Sequence, residues 1–92
     1  MTSKVSVMVS IPGISNSFQF LIPESMMVGT AQNLICNILQ KAGYDLSNPE
    51  KYRLLCVSTG KLLSSTLKIK GSGIVNGTEL LLMEVESWRK YE

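Results

Sequence analysis

The strongest nucleophiles in this 92-residue chain are two thiols, Cys36 and Cys56, and the sequence holds no histidine to activate either. A His-dependent triad is therefore absent. The two cysteines lack C-x-x-C spacing, and without imidazole partners they do not make a zinc site. At about 100° per residue, Cys36 falls about 130° from the centre of its helix's apolar arc, which predicts a boundary position. Cys56 is expected in the core beside Leu54, where an apolar setting raises a thiol's pKa and leaves it inert. The carboxylates Asp45, Glu50, Glu79, Glu84, Glu86 and Glu92 show no paired spacing on one element, so no acid–base couple is indicated. Gly71-Ser72-Gly73 lacks the flanking strand and helix that aim N–H groups at a phosphate, and it reads as a tight loop. The expectation is a protein with no catalytic, cofactor or metal site.

Composition narrows the remaining classes. The length suits one domain with one modest core. An apolar fraction of 45% against 17% charged places the chain with globular rather than disordered sequences. The net charge of +2 is small, and basic residues are scattered from Lys4 to Lys90, so nucleic acid is not an expected partner. Apolar stretches fall far short of the ~20 residues of a membrane span. The N-terminal MTSKVSVMVS alternates instead of running apolar as a signal peptide does. Two free thiols fit a reducing compartment, and the expected location is cytoplasmic.

The elements that would position any site follow from periodicity. Val5, Val7 and Val9 alternate with Ser6, Met8 and Ser10, as a half-buried strand requires. A Pro12-Gly13 break leads to Phe18, Phe20 and Ile22 on a second strand, and Pro23 ends it for want of an N–H. From Val28 the period changes. Val28, Ala31, Leu34, Ile35, Ile38, Leu39 and Ala42 cover an arc of about 140°, giving an amphipathic helix of about four turns. Gly43 ends it, whereas its start is weakly marked: Ser25 is a capping type, but Gly29 weakens the first turn. Tyr52–Val57 reads as a third strand, with Leu54 and Cys56 on one face and Leu55 and Val57 on the other. Thr59-Gly60 turns into a short Lys61–Leu63 strand. Leu67 and Ile69 are expected core anchors, Asn76-Gly77 is a turn, and Glu79–Met83 is the last strand.

The order strand, strand, helix, strand, short strand, strand resembles ubiquitin. Arg53-Leu54-Leu55 leading to Gly60-Lys61-Leu62 is similar to its third and fourth strands, and Leu67, Ile69, Ile74 and Thr78–Leu82 resemble its last third. Thr59–Leu63 and Gly73-Ile74-Val75-Asn76-Gly77-Thr78-Glu79-Leu80 resemble most the YukD/EsaB-like family, small bacterial ubiquitin-like proteins of type VII (ESX-type) secretion. The resemblance covers about residues 4–83. It implies an α+β ubiquitin-like β-grasp: a mixed four- to five-stranded sheet packed on one main helix. The expected division is a ubiquitin-like domain at 1–83 and a C-terminal tail at 84–92. The sequence departs from ubiquitin in ending Trp88-Arg89-Lys90-Tyr91-Glu92 without Gly-Gly, so conjugation or sulfur-carrier chemistry is not expected.

That fold sets the first strand beside the last and the third beside the last. The helix would cover Val7, Phe20, Leu54, Leu80 and Leu82. The opposite face would carry Met8, Leu55, Val57, Leu81 and Met83 as one apolar patch, where a one-sided sheet normally carries polar residues. In ubiquitin the matching face is the main partner-binding surface, with Leu55, Leu81 and Met83 on corresponding positions. The expected function is non-covalent binding of a protein, by resemblance a component of type VII secretion, through those five residues. Coverage by Trp88 and Tyr91 of the tail, or by a second copy, are the alternatives at that face. A nucleic-acid-binding β domain would need exposed aromatics flanked by basic residues, and only Tyr52/Arg53 and the 88–91 segment come close.

Overall fold

The computed structural model describes residues 3–46 and 51–84. Five strands and one helix follow in the order β1 (Lys4–Ser10), β2 (Ser17–Pro23), α1 (Val28–Lys41), β3 (Tyr52–Cys56), β4 (Lys61–Leu62) and β5 (Thr78–Glu84), with a 3-10 turn at Ile69–Gly71. They form one mixed sheet in the order β2-β1-β5-β3-β4. β1 runs parallel to β5, and every other pairing is antiparallel. The fold is α+β, and β1 and β3 both flank the last strand, as expected. β5 takes in Glu84, the residue at which the tail was expected to begin. Residues 85–92, with Trp88 and Tyr91, lie outside the described residues, as does most of the 45–50 connection.

Local chemistry sets the elements. Gly13 takes φ +84° in the turn between β1 and β2, a backbone conformation closed to most side chains, so the hairpin needs a glycine there. Asn76-Gly77 docks the start of β5 on β1. The Ser6 N–H donates to Asn76 Oδ1 at 2.8 Å, and the Gly77 N–H donates to the Ser6 carbonyl at 2.8 Å. Sequence-distant strands are thereby brought parallel.

The core lies between α1 and one sheet face. Val7, Val9, Val28, Cys36, Ile69, Leu54, Leu80 and Leu82 are fully buried. Each such aliphatic chain contributes about 1.5–3 kcal/mol relative to exposure. α1 buries Val28, Ala31, Gln32, Ile35, Cys36 and Leu39. That arc is again about 140° wide but turned about 60° from the one expected, at about 100° per residue. Two expectations are corrected by this roll. Cys36 is fully buried instead of marginal, and Leu34 and Ile38 are 45% and 52% exposed. On the other flank, Gln32 is buried and its side-chain amide donates to the Tyr52 carbonyl of β3.

The helix begins without any side-chain cap at Met27. Its first N–H groups are instead satisfied by the loop before the 3-10 turn: Val28 donates to the Leu67 carbonyl at 2.8 Å and Gly29 to the Ser65 carbonyl at 3.0 Å. Leu67 therefore anchors this loop through its backbone. Its side chain is 44% exposed, which corrects the expectation of a core anchor, whereas Ile69 is buried as expected.

Candidate functional site

The sheet face opposite α1 is built around Leu81. Within the sheet, Leu81 of β5 lies between Ser10 of β1 and Leu55 of β3, and Leu55 pairs in turn with Leu62 of β4. Met83, two residues on along β5, pairs with Arg53. Leu55, Leu62, Leu81 and Met83 are all half-buried, so they form a continuous apolar row across three strands. Met8 and Val57 stand apart from that row. Met8 pairs with Glu79, and the Val57 N–H donates to the Glu79 carbonyl at 3.1 Å, so the exposed Glu79 separates the two. Val57 also lies past the end of β3, in the turn, and is 48% exposed. The five expected residues thus share a face but do not make one unbroken patch.

The charges on this face frame the row. Glu79 flanks Leu81, two residues back along β5. Arg53 flanks Met83 and reaches back to β4, where Nη2 donates to the Leu63 carbonyl at 2.7 Å. Tyr52 and Arg53 point to opposite faces of β3, so they do not combine into the aromatic–basic platform that stacked bases require. Leu62 was not anticipated, although its position two residues after the Thr59-Gly60 turn carried the signal: a tight hairpin must set it opposite Leu55.

No family model and no curated protein matches the sequence. Solved structures do match. The ubiquitin of Caldiarchaeum subterraneum superposes with a TM-score of 0.73 at 16% identity, over 89% of this chain and 94% of that one. The fold is ubiquitin-like. A chain from a structure titled "Molecular Mimicry of SUMO promotes DNA repair" matches at TM-score 0.74 and 13% identity, covering 90% of this chain and 94% of that one. A chain of the MycP5-free ESX-5 inner membrane complex matches at TM-score 0.70 and 16% identity. The match spans 89% of this chain and 21% of that one.

Elsewhere in this ubiquitin-like domain the thiols differ from expectation. Burial pushes the Cys36 thiol above its usual range. Cys56 is buried beside Leu54 as expected, yet its pKa is lowered, not raised. The hydroxyl of Ser58, 3.4 Å from its sulfur, stabilises the thiolate more than burial disfavours it. The two sulfurs belong to separate surroundings, and both are free thiols. Among the described residues no group of three metal-ligating side chains converges, and no helix is long and apolar enough to cross a membrane.

Proposed function

We propose that this chain is a non-catalytic, ubiquitin-like interaction module that binds a protein partner non-covalently through the sheet face opposite α1. Leu55, Leu81 and Met83 form the centre of the contact, with Leu62 extending it and Met8 and Val57 at its margin. The observation that carries this reading is the continuous apolar row Leu62–Leu55–Leu81–Met83 on a sheet face where polar residues are the norm. Burial of that preformed row against a partner would contribute ~25 cal/mol per Å2 before the costs of association. Glu79 beside Leu81 and Arg53 beside Met83 would set register more than affinity.

For the partner, a cytoplasmic component of a type VII secretion machine is the reading favoured. Its supports are the likeness of Thr59–Leu63 and Gly73–Leu80 to the YukD/EsaB-like pattern and the occurrence of the same fold in a chain of the ESX-5 complex. Titration against the soluble parts of an ESX-type inner membrane complex tests it. Leu55→Asp is expected to abolish binding while leaving the thermal transition nearly unchanged. Ile35→Asp, which strands a charge among fully buried residues, is expected to unfold the domain. If Leu55→Asp unfolds the protein as severely as Ile35→Asp, the face assignment is wrong.

A further inference from the structure

β2 ends the sheet, and its outer edge pairs with no strand among the described residues. The hydrogen-bond phase along this strand identifies which backbone groups are left over. The Glu24 N–H donates to the Ser3 carbonyl at 2.9 Å, one step beyond the Lys4–Pro23 pair. Antiparallel bonding alternates, so Ile22, Phe20 and Phe18 spend their backbone groups on β1. Leu21, Gln19 and Ser17 direct theirs outward. Ser6 corroborates this phase: it faces Leu21 across the pair, yet its own N–H and carbonyl are committed to Asn76 and Gly77 on the β5 side.

Among the described residues, this edge carries little of the usual protection. Ser17–Pro23 contains no charge, whereas exposed edge strands are normally guarded by lysines, bulges or prolines along their length. Pro23 guards only the last position. Beside the edge runs an apolar groove between β2 and α1, lined by Phe20, Ile22, Met26, Leu34, Ile35 and Ile38. Leu21, beside Gln19 on the opposite face of β2, is 67% exposed, and the outward roll of α1 leaves Leu34 and Ile38 exposed along the groove wall.

We propose that this edge and groove bind a second copy of the chain, by antiparallel pairing of β2 with β2 about a two-fold axis at Phe20. Such an axis sets Leu21 of each copy opposite Gln19 of the other, each pair exchanging both backbone bonds that are now unspent. It places the two helices on the same side of one continuous sheet, with the Leu34 and Ile38 stripes facing across the seam. Charge placement favours a copy of this chain over a foreign strand. Glu24 follows Pro23, beyond one end of the groove, and the exposed Lys41 continues the Leu34–Ile38 helix stripe beyond the other. Two-fold pairing brings the Glu24 end of one copy to the Lys41 end of its partner, twice. The contact is isologous, so it closes at a dimer.

Sedimentation equilibrium of the full chain from about 10 μM to 1 mM tests the proposal in the range where weak self-association is measurable. The wild type is expected to dimerise. Leu21→Lys, on the exposed edge strand, should leave a folded monomer with an unchanged circular dichroism spectrum. Lys41→Glu should weaken the dimer about five- to tenfold by setting like charges together at both ends, and adding Glu24→Lys should restore it. Leu55→Asp should have no effect, which separates this dimer from the open-face contact. A wild type that stays monomeric throughout overturns the proposal, whether or not an extended foreign peptide then perturbs the Gln19 and Leu21 amides. A dimer lost with Leu55→Asp and kept with Leu21→Lys overturns it equally.

Discussion

Burial holds the Cys36 thiol protonated because the side chains around it give a thiolate nothing to hydrogen-bond. Cys56, on β3, meets the Ser58 and Thr59 hydroxyls at the start of the following turn, and these favour its thiolate. The thiolate is the reacting species, so the two cysteines should separate under a small alkylating reagent. Cys56 should be labelled first, with a rate midpoint below that of an ordinary thiol. Cys36 should stay unlabelled until the domain unfolds. Ser58→Ala removes the principal stabilising contact and should raise the Cys56 midpoint without changing Cys36. Mass spectrometry of labelled peptides across a pH series reads both. Equal labelling of the two sites, or a Ser58→Ala protein with an unshifted midpoint, would show that the hydroxyl does not act on the sulfur.

At the level of the element, α1 depends on a loop more than on its own sequence. Gly29 lowers helix propensity, yet a side chain would be crowded there: a Cβ would meet the Ser65 carbonyl oxygen at 3.1 Å and the Ser65 Cβ at 3.2 Å. The glycine allows the loop to approach closely enough to accept the Val28 and Gly29 N–H groups. Gly29→Ala gains up to about 1 kcal/mol of propensity but must push that loop away and orphan the first-turn donors, at about 1–3 kcal/mol. The expected outcome is a net loss of about 1 kcal/mol, read by urea denaturation. Hydrogen exchange should show protected Val28 and Gly29 amides in the wild type and faster exchange of both in the variant. A stabilised variant with unchanged protection would mean that the loop yields freely. The same element shows what was legible in the sequence. Val28, Ala31, Ile35 and Leu39 fix that a helix forms here and roughly which face it buries, as the alternation of Val5, Val7 and Val9 fixes β1. The final roll was not legible. Hydrophobicity favours burying Leu34 and Ile38 over Gln32 and Cys36, whereas the seat of α1 on the sheet, with Gln32 donating to the Tyr52 carbonyl twenty residues away, is set by tertiary packing. On the candidate face, alternation placed Leu55, Leu81 and Met83 correctly. The intrusion of Glu79 between Met8 and Val57 required the β1–β5 register, which no local pattern encodes.

Across the whole molecule, the departures from hydrophobic expectation gather in two places: the Leu62–Leu55–Leu81–Met83 row on the open face and the Leu21–Leu34–Ile38 margin at the β2 edge. Leu34 and Ile38 lie on the helix side of the sheet, and Leu21, on the open face, is separated from the row by β1, so occupation of one leaves the other free. Association through the edge ties folding to protein concentration, because a partner that binds only the native state raises apparent stability by mass action. In the dimeric range, each tenfold rise in concentration adds about 0.7 kcal/mol per protomer, which for a domain of this size is a rise of about 3–5 °C in Tm. Calorimetry at increasing concentration should therefore show a climbing Tm for the wild type and for Leu55→Asp, and a constant one for Leu21→Lys. Binding of an open-face partner should be unaffected by Leu21→Lys, since that substitution lies beyond β1 from the Leu81 row. Should Leu21→Lys weaken partner binding as much as Leu55→Asp does, the two surfaces act as one. The partner would then span from the open face over the β2 edge, leaving no room there for a second copy.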